Sequence, residues 1–339
     1  MALKILILGI NGFIGNSLAE QILQQKDWEV YGMDLTTDKL QGILDNPRLH
    51  FTQGDITQNT QWITEQVKLC DVVLPLVAIA NPALYVQNPL RVFQLDFEAN
   101  LAVIKECVRY KTRVVFPSTS EVYGMCPDEE FDEETSNFVL GPVNKPRWIY
   151  SCSKQLLDRV IHAYGMSDNL PYTLFRPFNW FGPKLDNILN PNDGGSRMAT
   201  QFIGNILRGK PIQLVDGGEQ KRSFTYVDDS IDALIKIIEN KNGCADNQIF
   251  NIGNPHNEIS VKDFAELVIR LITNYPAYAE AAQKTELIIT PAESYFGKGY
   301  QDVKRRVPAI KKAQQILGWN PVITLEEGLR KTLDYHLAK

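Results

Sequence analysis

The sequence predicts an α/β protein: a doubly wound parallel sheet with a smaller C-terminal α/β lobe. Three observations predict it. The apolar run Lys4–Leu8 leads directly into a glycine-rich turn, Gly9-Ile10-Asn11-Gly12-Phe13-Ile14-Gly15, and then into a helical pattern. Short apolar segments then alternate with helical ones as far as Pro117. Beyond Arg176 the composition shifts to long irregular stretches rich in Pro and Gly.

The bulk numbers suit that reading. A chain of 339 residues with 44% hydrophobic and 22% charged residues is an ordinary globular composition, with room for one large or two modest domains. A net charge of −5 supplies no overall basic face for nucleic acid or an anionic membrane. The N-terminal apolar run is too short for a membrane span and has no small-residue cleavage site, so a cytoplasmic location is expected. The five cysteines are odd in number and contain no Cys-x-x-Cys pair, which suggests reduced thiols and neither a disulfide framework nor a metal site.

Taken in order, Lys4–Leu8 reads as a central strand, apolar on both faces. Gly9 permits the tight turn, Gly12 lets backbone approach a pyrophosphate, and Gly15 lets the following helix, residues 16–25, pack close to the sheet. Leu18, Ala19 and Ile22 form its inner face. A diphosphate belongs at the helix N-terminus, where free N–H groups and the helix dipole favour anions. The second strand, residues 29–33, ends at Asp34, nineteen residues after Gly15. An acid there accepts hydrogen bonds from both ribose hydroxyls and repels a 2′-phosphate, so NAD is expected over NADP. This strand–turn–helix–strand–acid order is that of a Rossmann-type dinucleotide site, with Phe13 and Ile14 in its turn.

Residues 50–53 form the next strand. After it, Asp55, followed by Ile56, either meets the adenine amine or caps a turn. Residues 71–77 read as a buried strand leading to Ala78, where small residues suit close approach of a cofactor. Residues 93–110 read as one long helix, and Arg113–Pro117 as the next strand.

At the end of that strand stand Ser118, Thr119, Ser120 and Glu121, where open α/β sheets bind ligands. The alternative is a polar loop capping a helix. Tyr150 and Lys154 are four residues apart, about one helical turn, so both leave one helix face. The ammonium eases deprotonation of the phenol, which makes Tyr150 a base for a sugar or alcohol hydroxyl. Ser120 hydrogen-bonds the substrate oxygen, C4 of NAD takes the hydride, and Lys154 holds the nicotinamide ribose.

These segments resemble the extended short-chain dehydrogenase/reductase family. Within it the chain is most similar to the UDP-glucuronic acid oxidative decarboxylases, in particular the decarboxylase domains of bifunctional aminoarabinose-pathway enzymes. The likeness is carried by residues 72–80 (Val-Val-Leu-Pro-Leu-Val-Ala-Ile-Ala) and 116–126 (Phe-Pro-Ser-Thr-Ser-Glu-Val-Tyr-Gly-Met-Cys). It continues through 141–150 (Gly-Pro-Val-Asn-Lys-Pro-Arg-Trp-Ile-Tyr), 175–180 (Phe-Arg-Pro-Phe-Asn-Trp) and 295–303 (Tyr-Phe-Gly-Lys-Gly-Tyr-Gln-Asp-Val). The bifunctional relatives carry a formyltransferase domain ahead of this region; the expectation here is that another protein performs any formylation.

The resemblance implies catalytic roles for Ser120, Glu121, Tyr150, Lys154 and Arg306, with neighbouring Arg305 the other candidate for the last position. It implies substrate contacts from Tyr85, Asn179, Arg197, Lys221, Arg222 and Tyr300, and a homodimer through helices at 93–110 and 153–165. Read from the residues alone, Asn179 serves equally as a turn residue, and single basic residues are usually solvated. The expected division is residues 1–177 as the NAD-binding domain and 178–339 as the UDP-sugar-binding lobe, with re-entry of the chain into the first domain left open. In that lobe, the irregular segment 182–197 is expected to hold the nucleotide sugar, and residues 302–339 to pack as helices, with Ile310, Ala313, Ile316 and Leu317 at core spacing.

The implied reaction is chemically coherent. Oxidising the C4 hydroxyl of glucuronate places a ketone β to its carboxylate, and a β-keto acid loses CO₂ readily because the remaining electrons are held as an enolate. Ser120 and protonated Tyr150 stabilise that oxygen. Glu121 acting through water is one candidate proton donor to C5, while an arginine suits the substrate carboxylate better than proton donation. The product is a UDP-4-keto-pentose with NADH. Alternatives are a UDP-xylose synthase returning the hydride, another nucleotide-sugar epimerase or dehydratase, and a non-catalytic nucleotide-sugar-binding protein. An apiose-forming enzyme is disfavoured by Ser120, where those enzymes carry Cys.

Overall fold

A computed structural model describes residues 2–189 and 196–338. Its strands are β1 (Lys4–Leu8), β2 (Glu29–Asp34), β3 (Leu49–Gln53), β4 (Val72–Pro75), β5 (Arg113–Pro117), β6 (Tyr172–Pro177) and β7 (Trp180–Phe181). They continue as β8 (Ile212–Val215), β9 (Lys221–Ser223), β10 (Thr225–Tyr226), β11 (Gln248–Ile252), β12 (Glu258–Ser260), β13 (Leu287–Thr290) and β14 (Arg305–Arg306). Seven of them form one sheet in the order β11-β6-β5-β4-β1-β2-β3, and every pairing in it is parallel. The strand order reverses between β1 and β4, which opens a crevice at their carboxyl ends.

The alternation of side chains along each strand builds a core on both faces. Ile5 and Ile7 enter the larger core, on the side of the Phe13–Gln25 helix, while Leu6 and Leu8 enter the other. Val72 and Leu74 follow the first pair, Val73 the second. That second core is closed by Val103 and Ile104 from one helix and by Leu157 and Ile161 from the Trp148–Asp168 helix. Each such side chain contributes about 1.5–3 kcal/mol by leaving water. The sheet therefore fixes the site's floor rigidly.

Three expectations are corrected in detail. The first helix starts at Phe13, not at residue 16, because Gly12 is extended and serves as its N-cap, bringing Gly15 into the first turn. The strand at 71–77 is confined to Val72–Pro75: beyond Pro75, Leu76 N–H bonds both Leu8 and Leu74 carbonyls and the chain leaves the ladder. The helix at 93–110 is broken into an α-segment ending at Phe93, a π-helix Gln94–Ala99 and an α-helix Asn100–Tyr110.

The second half is laid around the crevice. β11 returns to the main sheet beside β6, and the Val227–Glu239 helix preceding it packs against Phe13–Gln25. Of residues 302–339, the first part is a strand and not a helix: β14 pairs in parallel with β9, Arg306 opposite Arg222. Helices Lys311–Leu317 and Leu325–Leu337 follow, and Ile310, Ala313 and Leu317 are buried as their spacing predicts. No helix among the described residues is long and apolar enough to cross a membrane.

Candidate active site

A cavity of about 560 Å³ occupies the crevice, running from the Gly9–Gly15 turn to Arg306. At its cofactor end, Gly9 adopts φ +88° and a Cβ there would press on Val77 at 3.2 Å. A Cβ on Gly15 would lie 2.5 Å from the Gly9 carbonyl oxygen. Both glycines are therefore required by close backbone approach, while Gly12, Phe13 and Ile14 line the cavity.

Asp34 closes β2 against this turn. One carboxylate oxygen accepts the Asn11 N–H at 2.8 Å and the other the Leu35 N–H at 2.7 Å. Burial raises its pKa, and these two backbone bonds work against that rise. Each oxygen keeps a lone pair for a ribose hydroxyl. The Asn11 side chain donates to Thr36 and Asp38 and accepts the Lys39 N–H, knitting loop 35–39 to the glycine turn. A glycine cradle that a methyl group would fill, and an acid fixed beside it, fit NAD. Ala78 also lines the cavity. Asp55 and Ile56 do not: Asp55 accepts both the N–H and hydroxyl of Thr57 at 2.8 Å, in a turn, and Ile56 lies in the core.

Tyr150 and Lys154 stand on the Trp148–Asp168 helix, both buried and both lining the cavity. Lys154 Nζ donates to the Pro117 carbonyl at 3.0 Å. Tyr85 stacks on Tyr150 with ring centroids 4.6 Å apart and planes within 6°. Among the protein's own groups, the Tyr150 phenol is not eased. Burial raises its pKa most, Asp96 adds to the rise, and the Thr119 hydroxyl opposes them. Burial also lowers the Lys154 pKa, against the pull of Asp96 and Asp158.

Ser120 and Thr119 line the cavity at the end of β5; Ser118 instead donates to the buried Asp158 at 2.7 Å. Glu121 is bridged by two guanidiniums. Its Oε2 holds Arg147 Nη2 at 2.7 Å and its Oε1 holds Arg306 Nη1 at 2.6 Å. Burial works to raise its pKa, but Arg147, Arg306 and Arg222 outweigh it and hold the carboxyl at about 2. Glu121 is thus a fixed anion and no proton donor near neutral pH. Arg222, 2.7 Å from Asp302, completes a group of three buried guanidiniums and two half-buried carboxylates, which leaves one positive charge at the cavity wall. Buried Nε of Arg306 has no hydrogen-bond partner among the described residues.

The arginine doublet separates cleanly. Arg306 faces Glu121 and lines the cavity, whereas Arg305 forms a two-point ion pair with Glu258, at 2.6 and 2.9 Å, on the other side of β14. Tyr300 lines the cavity, stacked on Phe296. Asn179 lines it in a left-handed conformation, donating to the Ser223 carbonyl. Arg197 lines it and pairs with Asp186 at 2.9 Å. Lys221 does not reach it; its exposed position on β9 lies opposite Arg305. Within segment 182–197, residues 190–195, including Pro191, Gly194 and Gly195, lie outside the described residues.

Sequence reasoning missed three contributors. Arg147 is buried between Glu121 and the rings of Trp148 and Tyr300, with cation–ring distances of 4.3 and 5.2 Å. Its signal was its place three residues before Tyr150, one turn away. Lys39 lines the cofactor end within electrostatic reach of Arg197. Asp96 carried no signal, since its helix read as regular.

Residues 5–253 match the family model described as "NAD dependent epimerase/dehydratase family". Among solved structures, PbgP3 protein from Burkholderia pseudomallei is 54% identical, with 100% of this chain and 97% of that chain covered and a TM-score of 0.91. UDP-glucuronic acid 4-epimerase from Bacillus cereus, in complex with UDP-glucuronic acid and NAD, is 24% identical over 98% of each chain, with a TM-score of 0.80. dTDP-glucose 4,6-dehydratase from Bacillus anthracis, in complex with NAD, is 22% identical over 99% of this chain and 96% of that chain, with a TM-score of 0.79. The last two show a shared fold.

Proposed function

Because the chain belongs to the NAD dependent epimerase/dehydratase family and NAD is therefore its cofactor, we propose that it oxidises and decarboxylates UDP-glucuronic acid, giving a UDP-4-keto-pentose and CO₂. The observation that carries this reading is the cluster of Arg147, Arg222 and Arg306 around Glu121 and Asp302, whose surplus positive charge lies on the same cavity as Tyr150 and Lys154. The diphosphate of any nucleotide sugar can use positive charge; a hexuronate carboxylate gives it a second use, at Arg306.

NAD supplies the hydride acceptor. Tyr150, as phenolate, takes the proton from O4, and Ser120 donates a hydrogen bond to the same oxygen as it becomes a carbonyl. Lys154 orients the nicotinamide ribose with the N–H groups that the Pro117 carbonyl leaves over. Arg306 holds the carboxylate until CO₂ departs. Tyr150, now protonated, and Ser120 then stabilise the enolate. Glu121, ionised down to about 2, aligns Arg306 and Arg147 and does not reprotonate C5. That proton is taken from solvent water instead.

A second reading is epimerisation at C4. The Bacillus cereus neighbour is by its name a UDP-glucuronic acid 4-epimerase, so a cationic carboxylate site does not by itself separate the two reactions. The experiment that does is CO₂ release from UDP-glucuronic acid with NAD, together with absorbance of NADH at stoichiometric enzyme and cofactor. CO₂ with accumulated NADH supports net oxidative decarboxylation. CO₂ without NADH means the hydride returns to C4, as in a UDP-xylose synthase. A C4 epimer without CO₂ overturns the proposal.

A further inference from the structure

Asp96 is a buried carboxylate that the reaction as written does not use. It lies in the π-helix Gln94–Ala99 and is 0% exposed. Its Oδ2 accepts the Ile79 N–H at 2.9 Å, while Oδ1 is buried with no hydrogen-bond partner among the described residues. Asn100, one turn on, donates to the Val77 carbonyl at 3.0 Å. The wide turn thus aims two polar side chains at the backbone of loop 77–80, which carries Ala78 and Ala80 into the cavity. Single π-turns inside α-helices concentrate at functional sites.

The π-helix holding Asp96 packs directly against the Trp148–Asp168 helix, and ionisable groups act on Asp96 from two other elements. Lys154 and Tyr150 belong to the Trp148–Asp168 helix, and Tyr85 to the Pro82–Gln87 helix. Asp158 acts on the same Lys154. Burial raises the Asp96 pKa to about 6, against Lys154 and the Ile79 N–H, so Asp96 is an anion above that pH. Tyr150 also faces Glu121, which adds to its rise, and Arg197, which opposes it. An anion at the Asp96 position favours the charged form of Lys154 and disfavours phenolate at Tyr150.

Resting on the reading of Tyr150 as the base, we propose that Asp96 is a positioning residue for its proton transfer: one carboxylate both anchors loop 77–80 and serves as counter-charge to Lys154. It keeps the lysine protonated and holds the pH window of Tyr150 higher than the lysine alone would set it. Removing the charge while keeping the acceptor lowers both proton affinities together, so the whole window moves to lower pH. A carboxylate that only shaped the loop would change the amplitude of activity and leave the window in place.

The test is Asp96→Asn, which keeps an oxygen for the Ile79 N–H. The Tyr150 phenolate is titrated by ultraviolet difference absorbance against the Tyr150→Phe variant of the same background, with NAD bound. The expected result is a midpoint lower by about one pH unit, a tenfold change in proton affinity. NAD affinity, read by tryptophan fluorescence, is expected to fall by tenfold or more in Asp96→Leu and by less in Asp96→Asn, because the leucine leaves a buried N–H unpaired. An unmoved or raised midpoint overturns the proposal. Asp96→Ser, which also removes the charge, carries the same expectation if the asparagine variant does not fold. The titration needs no turnover. A shifted midpoint without CO₂ release would reject decarboxylation alone, and CO₂ release with an unmoved midpoint would reject the role of Asp96 alone.

Discussion

Arg306 places Nη1 2.6 Å from Oε1 of Glu121, joining the short turn of helix after β5 to a strand 185 residues further along the chain. Arg305, its neighbour, turns the opposite way to Glu258. Successive residues of a strand face opposite sides, so the two arginines carry separate predictions. Arg306→Ala is expected to lower CO₂ release by 100-fold or more, through loss of the carboxylate contact and an unpaired Glu121. Arg305→Ala should stay within about threefold in rate and lose about 1 kcal/mol or less of stability, since its ion pair is partly exposed. Steady-state CO₂ assays on both variants decide it; equal losses would contradict the assignment.

The ionisation of Glu121 predicts an acid-stability signature. Its folded-state pKa, about 2, lies below the ordinary value of 4.5. Stability from this carboxylate is complete above about 4.5 and is lost as pH falls toward about 2. The full difference is worth roughly 3 kcal/mol at most. Thermal melts between about pH 5 and about pH 3 should therefore fall more steeply for the parent than for Glu121→Gln. The variant starts lower, because three guanidiniums lose a counter-charge. Parallel slopes would show that Glu121 is not held ionised.

The glycine turn predicts a steric result. In Gly15→Ala the new methyl meets the Gly9 carbonyl oxygen at 2.5 Å and Ile10 Cα at 2.8 Å, both backbone and neither able to move cheaply. Overpacking of this kind costs about 1–3 kcal/mol, and the shifted turn should weaken NAD binding by tenfold or more. Gly209→Ala is the control: its φ of +64° adds backbone strain, but nothing lies within 4 Å, so NAD affinity should be retained. Fluorescence titration with NAD separates the two.

Much of this site was legible because its signals are local. Gly9, Gly12, Gly15 and Asp34 follow one another at spacings set by a single strand–turn–helix–strand unit, and Tyr150 and Lys154 are one helical turn apart. Arg147 and Asp96 were not legible. A buried arginine is indistinguishable in sequence from a solvated one, and its partner Glu121 is 26 residues away. The π-turn holding Asp96 leaves the hydrophobic spacing of its helix nearly intact, so periodicity alone could not reveal it. The Arg305–Arg306 ambiguity resolves only once β14 pairs with β9, a contact between distant segments. At Asp55 the turn alternative is the one seen: Oδ1 accepts both Thr57 bonds, and that turn leaves Oδ2 unused.

Tyr150 carries the last prediction. Its ring is clamped against Tyr85 at 4.6 Å, so Tyr150→Phe keeps the packing and removes only the hydroxyl. Oxidation at C4 must precede decarboxylation, because the carboxylate becomes labile only when a β-ketone exists. Loss of the base should therefore abolish hydride transfer and CO₂ release together, with UDP-glucuronic acid still bound. The raised pKa of the phenol adds a direction: the parent's rate should climb with pH through neutrality as the phenolate fraction grows. Stopped-flow NADH absorbance and CO₂ capture on the same samples check both. CO₂ release that survives in Tyr150→Phe would mean that another group removes the O4 proton.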